Sequence, residues 1–149
     1  MSKPHLRAAT VGGSADEVEA AFYEALQAGD LERLMACWAN EEDIICVHPG
    51  GPRLIGAVAI RNSFEIMFSH GPIRSFPERL HKLETITSAV HNLIERVEIY
   101  TAEGAQIAFV TSTNVYMRTA EGWRMVAHHA SPGTPPELHS DIDTPTILH

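Results

Sequence analysis

Residues 43–51, DIICVHPGG, and residues 123–133, WRMVAHHASPG, each carry a short apolar run to histidine and then stop at Pro and Gly. Both runs have the length and the β-branched or aromatic content of strands. A strand that ends on imidazole beside a glycine loop can present the ring to a ligand, and an unperturbed imidazole titrates near pH 6.5, so His48 suits proton transfer at neutral pH. A loop-locking hydrogen bond to a carbonyl is the competing role. Strand side chains alternate, so Ile44, Cys46 and His48 share a face, while the neighbours His128 and His129 point opposite ways. The uncharged row Trp123, Met125, Ala127, His129 slightly favours His129 as the inward ring, because the row of His128 contains Arg124.

Glu95 lies between Leu93 and Val97 on a face that also carries His91. Burial there would make it a general acid or base; on the opposite side of the sheet it would pair with Arg96 or Arg118 of a second subunit. Asn114 and Tyr116 are two apart on one strand face and can hydrogen-bond a ligand carbonyl, or else a subunit interface. The expected catalytic set is therefore His48, His129 and Glu95, with Trp38, Phe64, Asn114, Tyr116 and His128 lining the ligand site. A metal would need His48, His129 and either His91 or Glu95 to converge, and none is expected. There is no P-loop, GxGxxG, GxSxG or HExxH, so no cofactor is expected either.

The elements that must position these residues can be read from periodicity and punctuation. Ser14 opens a capping box with Glu17, and Val18, Ala21, Phe22, Ala25 and Leu26 form one helical face that Gly29 ends. Asp30 caps a second helix through Leu31, Leu34, Met35 and Trp38. After the strand 44–48, the PGGPR loop and a short extended piece at Leu54 and Ile55, a third helix uses Ala57, Ile60, Phe64, Met67 and Phe68. Four strands follow at 78–85, 89–100, 105–118 and 123–130, with AEGA and AEGW as turns. Residues 1–13 read as a flexible arm, 14–131 as one α+β domain, and 132–149 as a Pro-rich tail.

Composition narrows the partners. A net charge of -8 with 11 scattered basic residues excludes a nucleic-acid surface. The longest apolar run, LIGAVAI at 54–60, is too short to cross a membrane, and the first residues lack a signal-peptide core, so a cytoplasmic protein is expected. Cys37 and Cys46 read as buried free thiols.

The phrases FYEALQAGDLERLMACWA (22–39), DIICVHPGGPRLIG (43–56) and TNVYMRTAEGWRMVAHHAS (113–131) resemble the SnoaL-like group of the nuclear transport factor 2-like (NTF2-like) superfamily, which includes ketosteroid isomerase. The resemblance implies a cystatin-like α+β roll: a cone-shaped, curved antiparallel sheet with three N-terminal helices. It implies a pocket between the helices and the concave face, and a homodimer through the convex face. The partly apolar character of both faces of 105–117 agrees with such a dimer. It also implies a small-molecule-binding protein, able at most to do cofactor-independent proton transfer, as an isomerase, dehydratase or cyclase, on a small apolar carbonyl compound. The alternative it implies is a non-catalytic association or ligand-binding module, like the domain that oligomerises calmodulin-dependent kinase. The Asp and Tyr set of ketosteroid isomerase and the Asp, Arg, Asp set of limonene epoxide hydrolase have no matching positions; histidines and one glutamate stand on the corresponding strands.

Overall fold

The computed structural model describes residues 12–135. The arm and tail expected at the termini lie outside these residues except at their inner ends. There Gly12 O accepts from Trp123 N at 2.7 Å and Gly133 N donates to Phe109 O at 2.9 Å.

Helix α1 (Ala15–Ala28) starts at the predicted cap, where Ser14 Oγ accepts from Glu17 N. It stops at Gly29, whose φ of 66° is left-handed and lets its N–H reach the carbonyls of Ala25 and Leu26. Asp30 caps α2 (Leu31–Ala36) by accepting from Arg33 N. Strands β1 (Ile45–Val47) and β2 (Arg53–Ile55) form a hairpin around the PGG loop, and α3 (Ala57–Phe68) follows. The long strands are β3 (Arg74–Glu84), β4 (Ser88–Thr101), β5 (Gly104–Thr119) and β6 (Gly122–Pro132). β3 begins ahead of Pro77 rather than after it, which an edge strand tolerates because it has one side with no ladder to complete.

The six strands run in the order β2-β1-β6-β5-β4-β3. Two expectations are corrected by this order. The sheet is not an all-antiparallel cone: it is open, with β2 and β3 as separate edges, and it is mixed, because β1 pairs parallel to β6. The direction of β1 is set upstream, where Ala39 N donates to Met125 O and Met125 N donates to Cys37 O, so the chain already runs parallel to β6 at Trp38. Nor are all three helices N-terminal, since α3 lies between β2 and β3.

One irregularity governs which side chains reach the interior. Val115 pairs with Ala127 but Tyr116 pairs with Met125, leaving Val126 as an extra residue on β6. Such a bulge reverses the inward and outward alternation beyond it. Met125 and His128, three apart, therefore share the inner face with Tyr116 and Asn114, two apart.

The core lies between the helices and this inner face. Phe22 of α1 packs edge-on against Phe64 of α3, with ring centres 6.2 Å apart, and Val18, Leu26, Leu34, Ile60, Leu93 and Met125 complete it. Cys37 and Cys46 are buried free thiols, each pushed up to about 12 by burial. Among the described residues no helix is long and apolar enough to cross a membrane.

Candidate functional site

A polar row crosses the inner face of the sheet, with Cys46, His128, Asn114 and His91 in register on four neighbouring strands. An apolar core closes over it, so each polar group must find a partner inside the protein. His128 Nδ1 donates to Asn114 Oδ1 at 2.6 Å, and Asn114 Nδ2 donates to the Tyr23 hydroxyl at 3.0 Å. Tyr23 in turn donates to Glu95 Oε2 at 2.7 Å. Ser112 also donates to Oε2 at 2.7 Å, and Ser75 donates to Oε1 at 3.0 Å. Glu95, 6% exposed, thus replaces its water shell with three hydroxyls of its own chain.

His48 stands half-buried at the end of this row. Its Nε2 lies 2.9 Å from Ser63 Oγ, whose own proton goes to Ile60 O at 2.7 Å, so His48 is the donor. Its ring meets Phe64 edge-on at 4.9 Å. Burial, then the neighbouring His128, push its pKa down to about 4, against the pull of Glu95. Burial also lowers the pKa of His128, opposed by Glu95. Both rings are therefore neutral at pH 7, and with Nδ1–H committed to Asn114, His128 keeps a lone pair on Nε2. Burial and Glu95 hold the Tyr23 phenol well above its ordinary pKa, so it stays a donor.

Of the residues singled out in the sequence, His48, Phe64, Glu95, Asn114 and His128 come together. Trp38 is buried nearby in the core cluster, its Nε1 without a partner among the described residues. Tyr116 is buried elsewhere on the inner face, where it donates to Glu19 Oε2 at 2.8 Å beside His91. His129 is the correction: it is exposed on the outer face, and His128 is the inward ring, because the Val126 bulge breaks the alternation that made His129 inward.

Tyr23, Ser75 and Ser112 complete the site and had not been identified. A signal did exist for the first: Glu19 and Tyr23 are four apart on α1 and border its apolar stripe, where a phenol must find a buried partner. Nothing local marks Ser75 or Ser112.

Chemically, the interior chain is a closed relay. Each Glu95 oxygen already accepts a hydroxyl proton, so abstracting one from a ligand would first require displacing a partner. A groove of about 540 Å³ lies on the outer face, lined by Ile45, Val115, Met117, Val126 and Ala127 together with Asp43 and Arg118.

Comparison with known proteins places this arrangement. Residues 16–135 match the SnoaL-like domain. A structure from Thiobacillus denitrificans, provisionally named a calcium/calmodulin-dependent protein kinase type II association domain, is 32% identical with a TM-score of 0.74, covering 82% of this chain and 97% of that one. A structure from Streptomyces avermitilis, provisionally named a dehydratase of the NTF2-like family, is 29% identical with a TM-score of 0.69, covering 79% and 93%. A cystatin-like protein from Caulobacter vibrioides shares the fold at 15% identity, with a TM-score of 0.71 over 90% and 95% of the two chains. The curated proteins give no match. The chain belongs to the SnoaL-like domain family, within the NTF2-like superfamily.

Proposed function

We propose that this protein is a non-catalytic association module that pairs with a second copy of itself through the outer face of its sheet. The observation that carries this reading is a single row in register across all six strands: Ile55, Ile45, Ala127, Val115, Val90 and Leu83. All six are apolar, and the helices cover the other side of the sheet. Ile55 is 49% and Leu83 70% exposed, and Met117 adds to the same surface at 46%. An apolar strip of this extent on a face that no described helix covers is stabilised by a partner face. The self-satisfied interior supports the same reading, as does the likeness to a protein named an association domain.

The test is light scattering on the purified chain beside Val115→Lys and Ile45→Glu. A wild-type dimer that becomes monomeric in both variants, with circular dichroism unchanged, supports the proposal. A wild-type monomer at micromolar concentration overturns it.

A second reading is favoured by an unmatched buried polar atom among the described residues, Trp38 Nε1. Here a small carbonyl compound enters between helices and sheet, Trp38 and Phe64 wall it, and His48, Glu95, Asn114 or His128 bind it or move its proton. A ligand retained in native mass spectrometry by the wild type and lost in His128→Ala would favour this reading over the first.

A further inference from the structure

A different cluster joins the start of α1 to the β3–β4 hairpin. His91 is wholly buried, and its ring has carboxylates on both sides. Glu19 Oε2 lies 3.1 Å from Nδ1, while Glu84 Oε2 lies 3.3 Å and Asp16 Oδ1 3.9 Å from Nε2. Glu19 is itself buried, and the same Oε2 accepts the Tyr116 hydroxyl, so it is a fixed acceptor that takes the Nδ1 proton. A neutral imidazole has one N–H. In that tautomer the Nε2 lone pair faces Glu84 Oε2 and Asp16 Oδ1, a mixed nitrogen and oxygen donor set open to a cation. Lys82 is the cation already beside this set, its Nζ bonded to Asp16 Oδ1 at 2.8 Å.

We propose that Asp16, Glu84 and His91 form a binding site for a divalent transition-metal ion of the Zn²⁺ type, with Glu19 as the outer carboxylate that orients the imidazole. The three candidate ligand atoms lie within 4.8 Å of one another. Zinc bonds of roughly 2.0–2.2 Å in a tetrahedral site separate ligand atoms by about 3.4 Å, and the distances of 3.3 and 3.9 Å from Nε2 bracket that separation. One imidazole with two carboxylates suits zinc and its neighbours better than magnesium or calcium, which take oxygen alone. A ligating histidine that donates its other N–H to a carboxylate is the usual outer arrangement at such sites. Asp16 and Glu84 are exposed, so the ion has access from solvent and a remaining position for water. Lys82 would move to the other Asp16 oxygen, and its side chain, 35% exposed, is free to do so. This inference is independent of the association proposal.

The test is calorimetric titration of the chelator-stripped full chain with zinc chloride, repeated with cobalt chloride for its visible spectrum. The wild type is expected to bind one ion per chain and to show a cobalt spectrum with a nitrogen ligand. Glu84→Gln and Asp16→Asn, both at exposed positions that leave the core intact, are expected to weaken binding at least tenfold. Glu19→Gln is expected to weaken it roughly 10- to 100-fold. Nitrogen NMR of His91 should show Nε2 shifting on zinc addition while Nδ1 keeps its proton. The proposal is overturned if the wild type takes up no ion. It is equally overturned if the Asp16→Asn/Glu84→Gln double variant binds with unchanged affinity, or if both His91 nitrogens stay protonated at saturating zinc, since a second proton would then be the cation.

Discussion

Tyr23 and Glu95 meet across the interior, the phenol donating to the carboxylate at 2.7 Å while accepting from Asn114 at 3.0 Å. One hydroxyl thereby ties α1 to β4 and β5. Tyr23→Phe keeps the ring packing but strands the Asn114 amide and removes a donor from Glu95. The expected cost is about 1–3 kcal/mol in urea denaturation. A cycle with Glu95→Gln should show strong non-additivity, because the two residues act on one network.

Acid should destabilise the protein through His48. Its folded pKa is pushed down to about 4, whereas an unfolded imidazole titrates near 6.5. Between those values the unfolded chain binds more protons than the folded one, so stability is full above about pH 6.5 and declines as pH falls toward about 4. The lowered pKa of His128 acts in the same direction. In denaturation series across this window, His48→Gln should flatten the slope by up to one proton equivalent. An unchanged slope would count against a desolvated ring.

Removing the extra residue at Val126 should be far more damaging than replacing it. Deletion restores simple alternation on β6, which would turn Met125 or His128 away from the core. Val126→Ala retains the bulge and should lower the melting temperature only modestly, while the deletion variant should fail to give a cooperative transition.

Gly122→Ala should also be costly despite its small change in volume. The residue has a φ of +106°, and an added Cβ would lie 2.8 Å from the Gly12 carbonyl oxygen. That oxygen accepts from Trp123 N and cannot retreat without losing the bond. A loss of at least ~1 kcal/mol is expected, measurable as a lower urea midpoint.

Much of this molecule was legible because its signals are local. Ser14 with Glu17 fixed the start of α1, Gly29 its end, and the two AEG turns the hairpins around β5. The errors arose where a distant residue decides. The sequence of β6 reads as even alternation and leaves only a slight preference for His129 as the inward ring; pairing with β5 reveals that Val126 is extra and turns His128 inward. Similarly, no residue of β1 encodes its parallel direction, which the contacts of Cys37 and Ala39 with Met125 impose. For Glu95 the sequence left burial and a subunit-interface ion pair both open, and the partners that decide it, Tyr23, Ser75 and Ser112, come from three other elements. Their convergence is a property of the packed fold.

The place of β6 in the sheet bears on how the chain acquires its structure. It is the last described strand in sequence yet sits between β1 and β5. During synthesis β3, β4 and β5 can zip together by neighbouring turns, but the first helices and the β1–β2 hairpin have no sheet to join until residues near 125 have left the ribosome. Contacts of such long range are slow to form. The nascent chain should therefore expose the apolar stripe of α1 until residues near 125 are synthesised, and be vulnerable to proteases and receptive to chaperones until the β5–β6 hairpin closes.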